Sequence, residues 1–209
     1  ALASRPRVLL LDEPLSNLDA ALREELRGEL AALRARLGTT MLYVTHDQAE
    51  ALALSTRIAV MSGGALVQEG KPEEIYWRPR DRFVAEFVGA ANLVPVRVVE
   101  LRETGVVVQT DGGARLPVAA GGHSWSVGAR GLLCLRPEAL RIEEAALAPG
   151  GIPGTVAGYV FEGARQLYDV TIPGGMVRVE MITSAVQGRS FQAGDEVKVE
   201  DSQIVVGLA

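Results

Sequence analysis

Two short segments constrain this chain more than any other part of its 209 residues. Val8–Asp19 has the sequence V-L-L-L-D-E-P-L-S-N-L-D, and Tyr43–Gln48 has the sequence Y-V-T-H-D-Q. A short aliphatic run that ends in two adjacent carboxylates is typical of a parallel strand whose two faces are both covered. Open α/β sheets bind their ligands at the carboxyl ends of such strands. We therefore predict that Asp12, Glu13 and His46 lie near a ligand site at one edge of a sheet.

Each segment also has a simpler interpretation when it is taken alone. The first can be a buried strand followed by a solvated acidic turn, and His46 can be an ordinary polar residue after a strand. Their order favours a nucleotide site, because an amphipathic helix and a second strand join them. In such a site one carboxylate can hold Mg²⁺ through water, its neighbour can polarise an attacking water, and the histidine can contact a γ-phosphate.

These residues resemble the ATPase subunits of ABC transporters. The resemblance identifies Leu9–Asp12 as the Walker B strand, Glu13 as the catalytic glutamate and His46 as the switch histidine. It implies that Asp12 holds Mg²⁺ through water, that Glu13 activates the attacking water and that His46 contacts the γ-phosphate. It also identifies Ser16–Asp19 as the D-loop, in which Ser16, Asn17 and Asp19 couple two ATP sites across a dimer.

Two motifs of that family are missing from the 209 residues. The phosphate cradle G-x-x-x-x-G-K-[ST] has no match, because Gly64–Lys71 has one residue too many between its glycines and is followed by Pro72. The signature-like Met61–Ala65 (M-S-G-G-A) follows His46 in the chain, so we expect a hairpin turn there. We interpret the chain as a fragment whose first residues, Ala1–Arg7, resemble the end of a helix. Mg²⁺ and ATP are expected in the full-length protein, and neither is expected to bind this fragment.

Residues 1–89 alternate between strand and helix signals, and Gly70–Gly89 resembles the end of ABC importer ATPases of the sugar, polyamine and iron(III) class. Leucines at helical spacing predict a helix over Ala20–Leu37, which Asp19 caps and Gly38 ends. These leucines form one apolar stripe along the helix, and the charged residues beside it, including Arg23, are interpreted as a solvated face. The other predicted elements are strands Val8–Leu11, Thr40–Val44, Ile58–Met61 and Leu66–Glu69, and helices at Asp47–Leu54, after Pro72 and at Arg82–Val88.

Residues 90–209 show almost no helix signal and instead contain short β-rich runs separated by Gly and Pro turns. Their spacing predicts a small barrel. Their position, together with Leu133–Leu140 and Gly154–Tyr168, resembles the OB-like (TOBE) regulatory domain of these importers. The fold class is thus an α/β remnant of a P-loop NTPase domain followed by an all-β OB-like domain. The predicted strands are Val94–Leu101, Gly105–Thr110, Gly131–Leu135, Val156–Phe161, Leu167–Ile172, Val177–Met181, Glu196–Val199 and Gln203–Val206.

Composition excludes several classes of protein. The net charge of −5 argues against a nucleic-acid partner, since phosphate backbones require basic patches. No apolar stretch approaches the roughly 20 residues of a membrane span. The single cysteine, Cys134, cannot form an internal disulfide and is interpreted as a core residue of a protein in a reducing compartment.

Two functions of different classes remain. The first is the energy-coupling ATPase subunit of an uptake transporter for iron(III) or polyamines, with sugars next. The resemblance implies a homodimer, transmembrane permease subunits, a solute-binding protein, and a cytoplasmic location on the inner face of the membrane. The alternative is a non-enzymatic dimerisation or small-ligand module, in which aromatic residues form either a ligand platform or the barrel core. These residues are Trp125, Tyr159, Phe161 and Tyr168.

Overall fold

A computed structural model describes residues 6–119, 124–145, 151–185, 190–201 and 205–208. It divides the chain into two compact units, Ala1–Tyr76 and Trp77–Ala209. This division lies before Gly89, where the sequence predicts the end of the first domain. The two domains, residues 1–89 and 90–209, stay a prediction. Residues 1–5, which belong to the segment predicted to be the end of a helix, and the predicted strand residues Gln203 and Ile204 lie outside the described residues.

The first unit has an α/β part and a hairpin. Its elements are β1 (Val8–Asp12), α1 (Ala20–Leu37), β2 (Thr40–Val44), α2 (Gln48–Leu54), β3 (Ile58–Ser62), β4 (Ala65–Gly70) and most of α3 (Pro72–Trp77). β1 and β2 pair in parallel, with Leu10 opposite Leu42 and Asp12 opposite Val44. β3 and β4 pair as the expected hairpin around Gly63 and Gly64, which have φ values of 55° and 79°. Positive φ at both turn residues matches the twist of a tight hairpin.

The caps predicted for α1 are confirmed. The Asp19 side chain accepts a hydrogen bond from the backbone N–H of Leu22, and Gly38 ends the helix in the left-handed conformation with φ 59°. The predicted apolar stripe is only partly covered, because Leu22 is exposed and Leu26, Leu30 and Leu33 are intermediate. Residues of the stripe need a facing element to become core, and helical spacing alone does not supply one.

In its described residues, the second unit starts with α4 (Arg82–Phe87) and continues with ten strands, two more than were predicted. They are β5 (Asn92–Arg102), β6 (Gly105–Thr110), β7 (Arg115–Ala119), β8 (Arg130–Leu135), β9 (Leu140–Glu144), β10 (Ile152–Phe161), β11 (Arg165–Ile172), β12 (Gly175–Ile182), β13 (Glu196–Asp201) and β14 (Val205–Leu208). The predicted hairpin at Pro173–Gly175 is confirmed, since Ile172 pairs with Gly175. β7 and β9 are the strands that the sequence pattern missed.

The strands of the second unit form two five-stranded sheets with the orders β14-β8-β5-β6-β7 and β12-β11-β10-β13-β9. Both sheets contribute to one apolar core, in which Val98 and Leu133 of the first sheet join Tyr168 and Val177 of the second. Asn92 links the sheets, because its side chain bonds to both the N–H and the C=O of Arg178. This all-β OB-like architecture confirms the predicted fold class of the second half.

α4 is attached to this unit by a buried arginine. Arg136 is fully buried and donates to the backbone carbonyls of Ala85 and Val88 at the end of α4. Cys134 packs beside Ala85 as a buried core residue, as expected. The apolar residues of α4 differ in burial, since Val84 is buried while Phe83 stacks on Phe87 and both rings are exposed.

Candidate functional site

The carboxyl ends of β1 and β2 bring the two sequence segments together, as parallel pairing requires. Asp12 is the last residue of β1, and the backbone N–H of Glu13 donates to the carbonyl of Val44 over 2.8 Å. This bond continues the ladder by one residue beyond the strand, so that Glu13 leaves β1 beside the exit of β2. The predicted proximity of Glu13 and His46 is therefore built by the register of two strands.

The side chains of Glu13 and His46 contact each other at this edge. Nδ1 of His46 lies 3.0 Å from Oε1 of Glu13, a hydrogen-bond distance. The side chains are accessible, with exposed fractions of 72% for His46 and 45% for Glu13. The hydrogen bond to Glu13 and its charge raise the pKa of His46, with smaller contributions from Asp47 and Glu50. The carboxylates of Glu13, Asp47 and Glu50 thus favour the protonated form of His46.

The backbone of Glu13 is held in an uncommon conformation. Its φ is 44°, in the left-handed region that non-glycine residues seldom adopt. The carbonyl of Glu13 accepts from both the N–H and the hydroxyl of Ser16, over 3.2 and 2.9 Å. Strained backbone of this kind is concentrated at sites where a side chain must be aimed. The turn after β1 therefore directs the Glu13 carboxylate towards His46.

The other predicted site residues lie around this pair but do different things. Asp12 is exposed, and its carboxylate makes no hydrogen bond or ion pair with any residue that the structure describes. Ser16 and Asn17 are exposed on the turn, and Ser16 stabilises the turn through Glu13. Asp19 is the N-cap of α1. Among the described residues there is no cluster of three His, Cys, Asp or Glu side chains that could hold a metal ion.

Two residues near the site escaped the sequence analysis. Glu50, on α2, is buried and accepts hydrogen bonds from Tyr43 and Thr45. Its spacing from Asp47 matches a capping box, which would turn Glu50 back to the N–H of Asp47. Instead the hydroxyl of Thr45 accepts from that N–H, so Glu50 points inward. The signal that could have found it is the i, i+4 pairing with Leu54 on the buried side of α2.

Arg23 is the second missed residue, and its assignment to a solvated face is wrong. Its guanidinium donates to the carbonyl of Leu18 over 2.9 Å and lies 3.9 Å from the carboxylate of Asp47. Arg23 therefore connects the turn before α1 with the residue that caps α2. Because Asp47 follows His46 directly, Arg23 contacts the residue next to the candidate site.

A scan of protein families matches residues 133–201 to the TOBE domain. The chain is 43% identical over 195 residues to the spermidine/putrescine import ATP-binding protein PotA 1 of Pseudomonas aeruginosa, covering 93% of the chain and 52% of that protein. It is 39% identical over 206 residues to PotA of Nitrosomonas europaea, covering 95% and 56%. It is 38% identical over 210 residues to the maltose/maltodextrin import ATP-binding protein MalK of Salmonella typhimurium, covering 99% and 54%.

A solved structure of the cytoplasmic molybdate-binding protein ModG, with molybdate bound, matches with a TM-score of 0.49 and 15% identity, covering 56% of this chain and 96% of that one. In the described parts of the chain, none of the helices has the length and apolar character needed to cross a membrane.

The similarity to import ATP-binding proteins covers nearly the whole chain, whereas the chain spans about half the length of those relatives. The TOBE match falls on β8 to β13 of the β-rich unit. The chain is therefore a homologue of the ATP-binding subunits of ABC importers, in which it corresponds to the C-terminal part and carries a TOBE domain.

Proposed function

We propose that this chain supplies the hydrolytic residues of an ATP site in the energy-coupling subunit of an ABC importer. The observation that carries the proposal is the 3.0 Å contact between His46 and Glu13 where two parallel strands end. Substrates of open α/β sheets lie beyond the carboxyl ends of the strands, which is where both side chains are exposed.

In this proposal Glu13 orients and deprotonates the water that attacks the γ-phosphorus. A carboxylate has two oxygens, so Oε1 can hold His46 while Oε2 accepts from the water. A protonated imidazole donates from both nitrogens, and His46 can then bond to Glu13 through Nδ1 and to a phosphate oxygen through Nε2. The raised pKa of His46 favours this doubly donating form.

Asp12 is the residue that fits Mg²⁺. It is an exposed carboxylate with no partner among the described residues, next to Glu13 at the end of β1. Mg²⁺ is commonly bound through one or two carboxylates, several waters and the phosphates of the substrate. When bound, the ion neutralises charge on the phosphates. Since the described residues place one such carboxylate here, water and nucleotide would supply the remaining ligands.

The D-loop residues are proposed to act between two copies of the subunit. Ser16 and Asn17 are exposed on the turn between β1 and α1, beside Glu13. The hydroxyl of Ser16 bonds to the Glu13 carbonyl. A contact on this turn from a second copy would therefore act on the backbone that aims the Glu13 side chain.

A chimera tests the catalytic roles. The upstream half of the Pseudomonas aeruginosa relative is joined to residues 1–209, and ATP turnover is measured in wild-type and Glu13→Gln forms. We expect Glu13→Gln to lower kcat by at least ~10²-fold while ATP still binds, because the amide cannot accept the proton. His46→Ala should have a similar effect. Glu25→Gln, an exposed carboxylate on α1, is the matched control. Near-normal turnover in Glu13→Gln and His46→Ala would refute both roles.

The 209-residue chain by itself is expected neither to bind nor to hydrolyse ATP, because its sequence has no phosphate cradle. Isothermal titration with Mg-ATP tests this. Binding in the micromolar range would show that the chain holds nucleotide in another way.

The relatives favour spermidine or putrescine as the transported solute, with maltodextrin-type sugars next. Iron(III) is supported by none of the relatives named above. We propose that the subunit works as a homodimer with membrane permease subunits and a solute-binding protein, on the cytoplasmic side of the membrane. The assay is uptake of radiolabelled spermidine in cells that carry the chimera in place of the relative.

The alternative is a regulatory or ligand-binding module built on the β-rich unit. One observation favours it: Phe161 is 58% exposed and Tyr159 is 37% exposed at the end of β10, whereas Tyr168 is buried and Trp125 packs against the core. Light scattering of residues 90–209 tests the dimer. If residues 90–209 form a dimer, a regulatory contact is supported. If they are monomeric while the 209-residue chain is a dimer, the contact is assigned to the α/β unit.

A further inference from the structure

A buried carboxylate, that of Glu50, bonds to the residue that precedes His46. Glu50 is only 2% exposed, and it is one of four buried polar or charged residues that the described part of the chain contains. Burying a carboxylate is costly unless hydrogen bonds replace the lost water. The structure supplies those bonds from the strand that leads to His46, so Glu50 is tied to the candidate site.

The side chain of Glu50 bonds to two residues that precede His46, and one of them bonds to the residue that follows it. Oε2 of Glu50 accepts from the Tyr43 hydroxyl over 2.9 Å and from the Thr45 hydroxyl over 2.8 Å. The Thr45 oxygen in turn accepts from the backbone N–H of Asp47 over 2.9 Å. Thr45 precedes His46 and Asp47 follows it. The bonds therefore fix the turn that presents the imidazole.

Both donors keep their protons under physiological conditions. Burial and the hydrogen bond to Glu50 raise the pKa of Tyr43 above its ordinary value, and a threonine hydroxyl does not titrate. Both hydroxyls therefore remain available as donors to Oε2 of Glu50.

We propose that Glu50 is a positioning residue for His46: through Thr45 it holds the 45–47 turn in the conformation that brings the imidazole to Glu13. The catalytic meaning of this role rests on the function proposed above. Glu50 does not touch the reacting groups in this proposal. It acts through the turn, which Arg23 also contacts through Asp47.

The test is ¹⁵N NMR of the 209-residue chain in alkaline buffer, where the imidazole is neutral. A neutral His46 that bonds to the Glu13 carboxylate carries its proton on Nδ1, and the ¹⁵N shifts of the ring report which nitrogen is protonated. The second histidine of the chain, His123, is removed by His123→Gln so that a single imidazole is observed. Glu13→Gln marks the signal expected when the carboxylate partner is gone.

We expect Glu50→Ala to abolish the excess of the Nδ1–H form, as Glu13→Gln does, because the turn loses its anchor. Glu50→Gln should keep most of it, since the amide oxygen still accepts from both hydroxyls. Leu54→Ala is the matched control on α2: it removes a buried side chain of the same helix but none of these hydrogen bonds. It should lower stability and leave the tautomer unchanged.

Two results would overturn the proposal. One is an unchanged tautomer in folded Glu50→Ala, and the other is an equal loss in Leu54→Ala. If Glu50→Ala does not fold, Tyr43→Phe combined with Thr45→Val removes both donors, and an unchanged tautomer there refutes the proposal. The NMR result requires no nucleotide, so it stands apart from the turnover of the chimera. If Glu50→Ala loses the Nδ1–H form while the Glu13→Gln chimera keeps normal turnover, the proposed function is refuted and the positioning role of Glu50 stands.

Discussion

The α/β unit and the β-rich unit differ in how completely they bury the apolar faces of their strands. In the α/β unit, Leu10 is 69% exposed and Leu42, its partner on β2, is 59% exposed. In the β-rich unit, Val98, Leu133 and Val177 are buried between two sheets. Local sequence produced strands in both units. Burial requires a second layer of structure. Among the described residues, the sheets of the β-rich unit have one, whereas the face of β1 and β2 that carries Leu10 and Leu42 does not.

The two units also differ in where their hydrogen-bonded polar side chains lie. Glu13 and His46 lie at an open edge, where their geometry is set by strand register and a strained turn. Arg136 and Tyr168 are buried: Arg136 donates to the Ala85 carbonyl at the end of α4, and Tyr168 donates to Gln166 on the same strand. A site at an open edge can receive a ligand or a further chain segment, whereas the buried network serves stability.

The largest expected effect compares the same substitution in the two units. Leu133→Ala removes a fully buried side chain and should lower the free energy of unfolding by about 2–5 kcal/mol. Leu10→Ala removes a side chain that is mostly in water and should change it by less than about 0.5 kcal/mol. Urea unfolding followed by circular dichroism measures both. Similar losses would show that the β1–β2 face is covered in solution.

Sequence predicted most elements of both units, and the failures have specific causes. β7 was missed because R-L-P-V-A contains Pro117, which cannot donate to a ladder. The strand tolerates proline because it lies at the edge of its sheet. β9 was missed because L-R-I-E-E is short and ends in two acids, although Leu140 and Ile142 alternate with Arg141 in burial.

The candidate site was predictable where it depends on strand order and unpredictable where it depends on facing side chains. Parallel strands end at one edge, so the proximity of Glu13 and His46 followed from their positions in the sequence. The inward direction of Glu50 depends on two hydroxyl donors from β2 and the following turn. Periodicity locates apolar faces but does not identify the donors that allow a carboxylate to enter one.

A pair of glycines gives the next effect in size. A Cβ on Gly105 would overlap the backbone carbonyl of Val118 on the neighbouring strand, so Gly105→Ala should destabilise by about 1–3 kcal/mol. Gly28 lies within α1 with nothing close to the position of a Cβ, so Gly28→Ala should stabilise by about 0.5–1 kcal/mol. Thermal unfolding of the two variants measures both signs. Destabilisation by Gly28→Ala would indicate a contact on that face of α1.

The smallest expected effect is a pH dependence of the α/β unit that comes from His46. Its pKa in the folded chain is raised above the ordinary value of 6.5, chiefly by the hydrogen bond to Glu13. Protonation therefore favours the folded state. The contribution is fully present below the unfolded pKa and is lost as the pH rises through the folded pKa.

Glu13→Gln should remove this contribution, so the stability difference from wild type should shrink as the pH rises through the window just above 6.5. Both side chains are exposed, which screens the interaction and keeps the effect small. Urea midpoints measured across this pH range, by the helical signal to which α1 contributes, give the difference. His46→Gln should give the same pH trend as Glu13→Gln, and the double variant should add nothing to either. A difference that grows with pH would mean that His46 gains no proton-linked stability from Glu13, and the contact at the open edge would then lack the energetic coupling that its geometry implies.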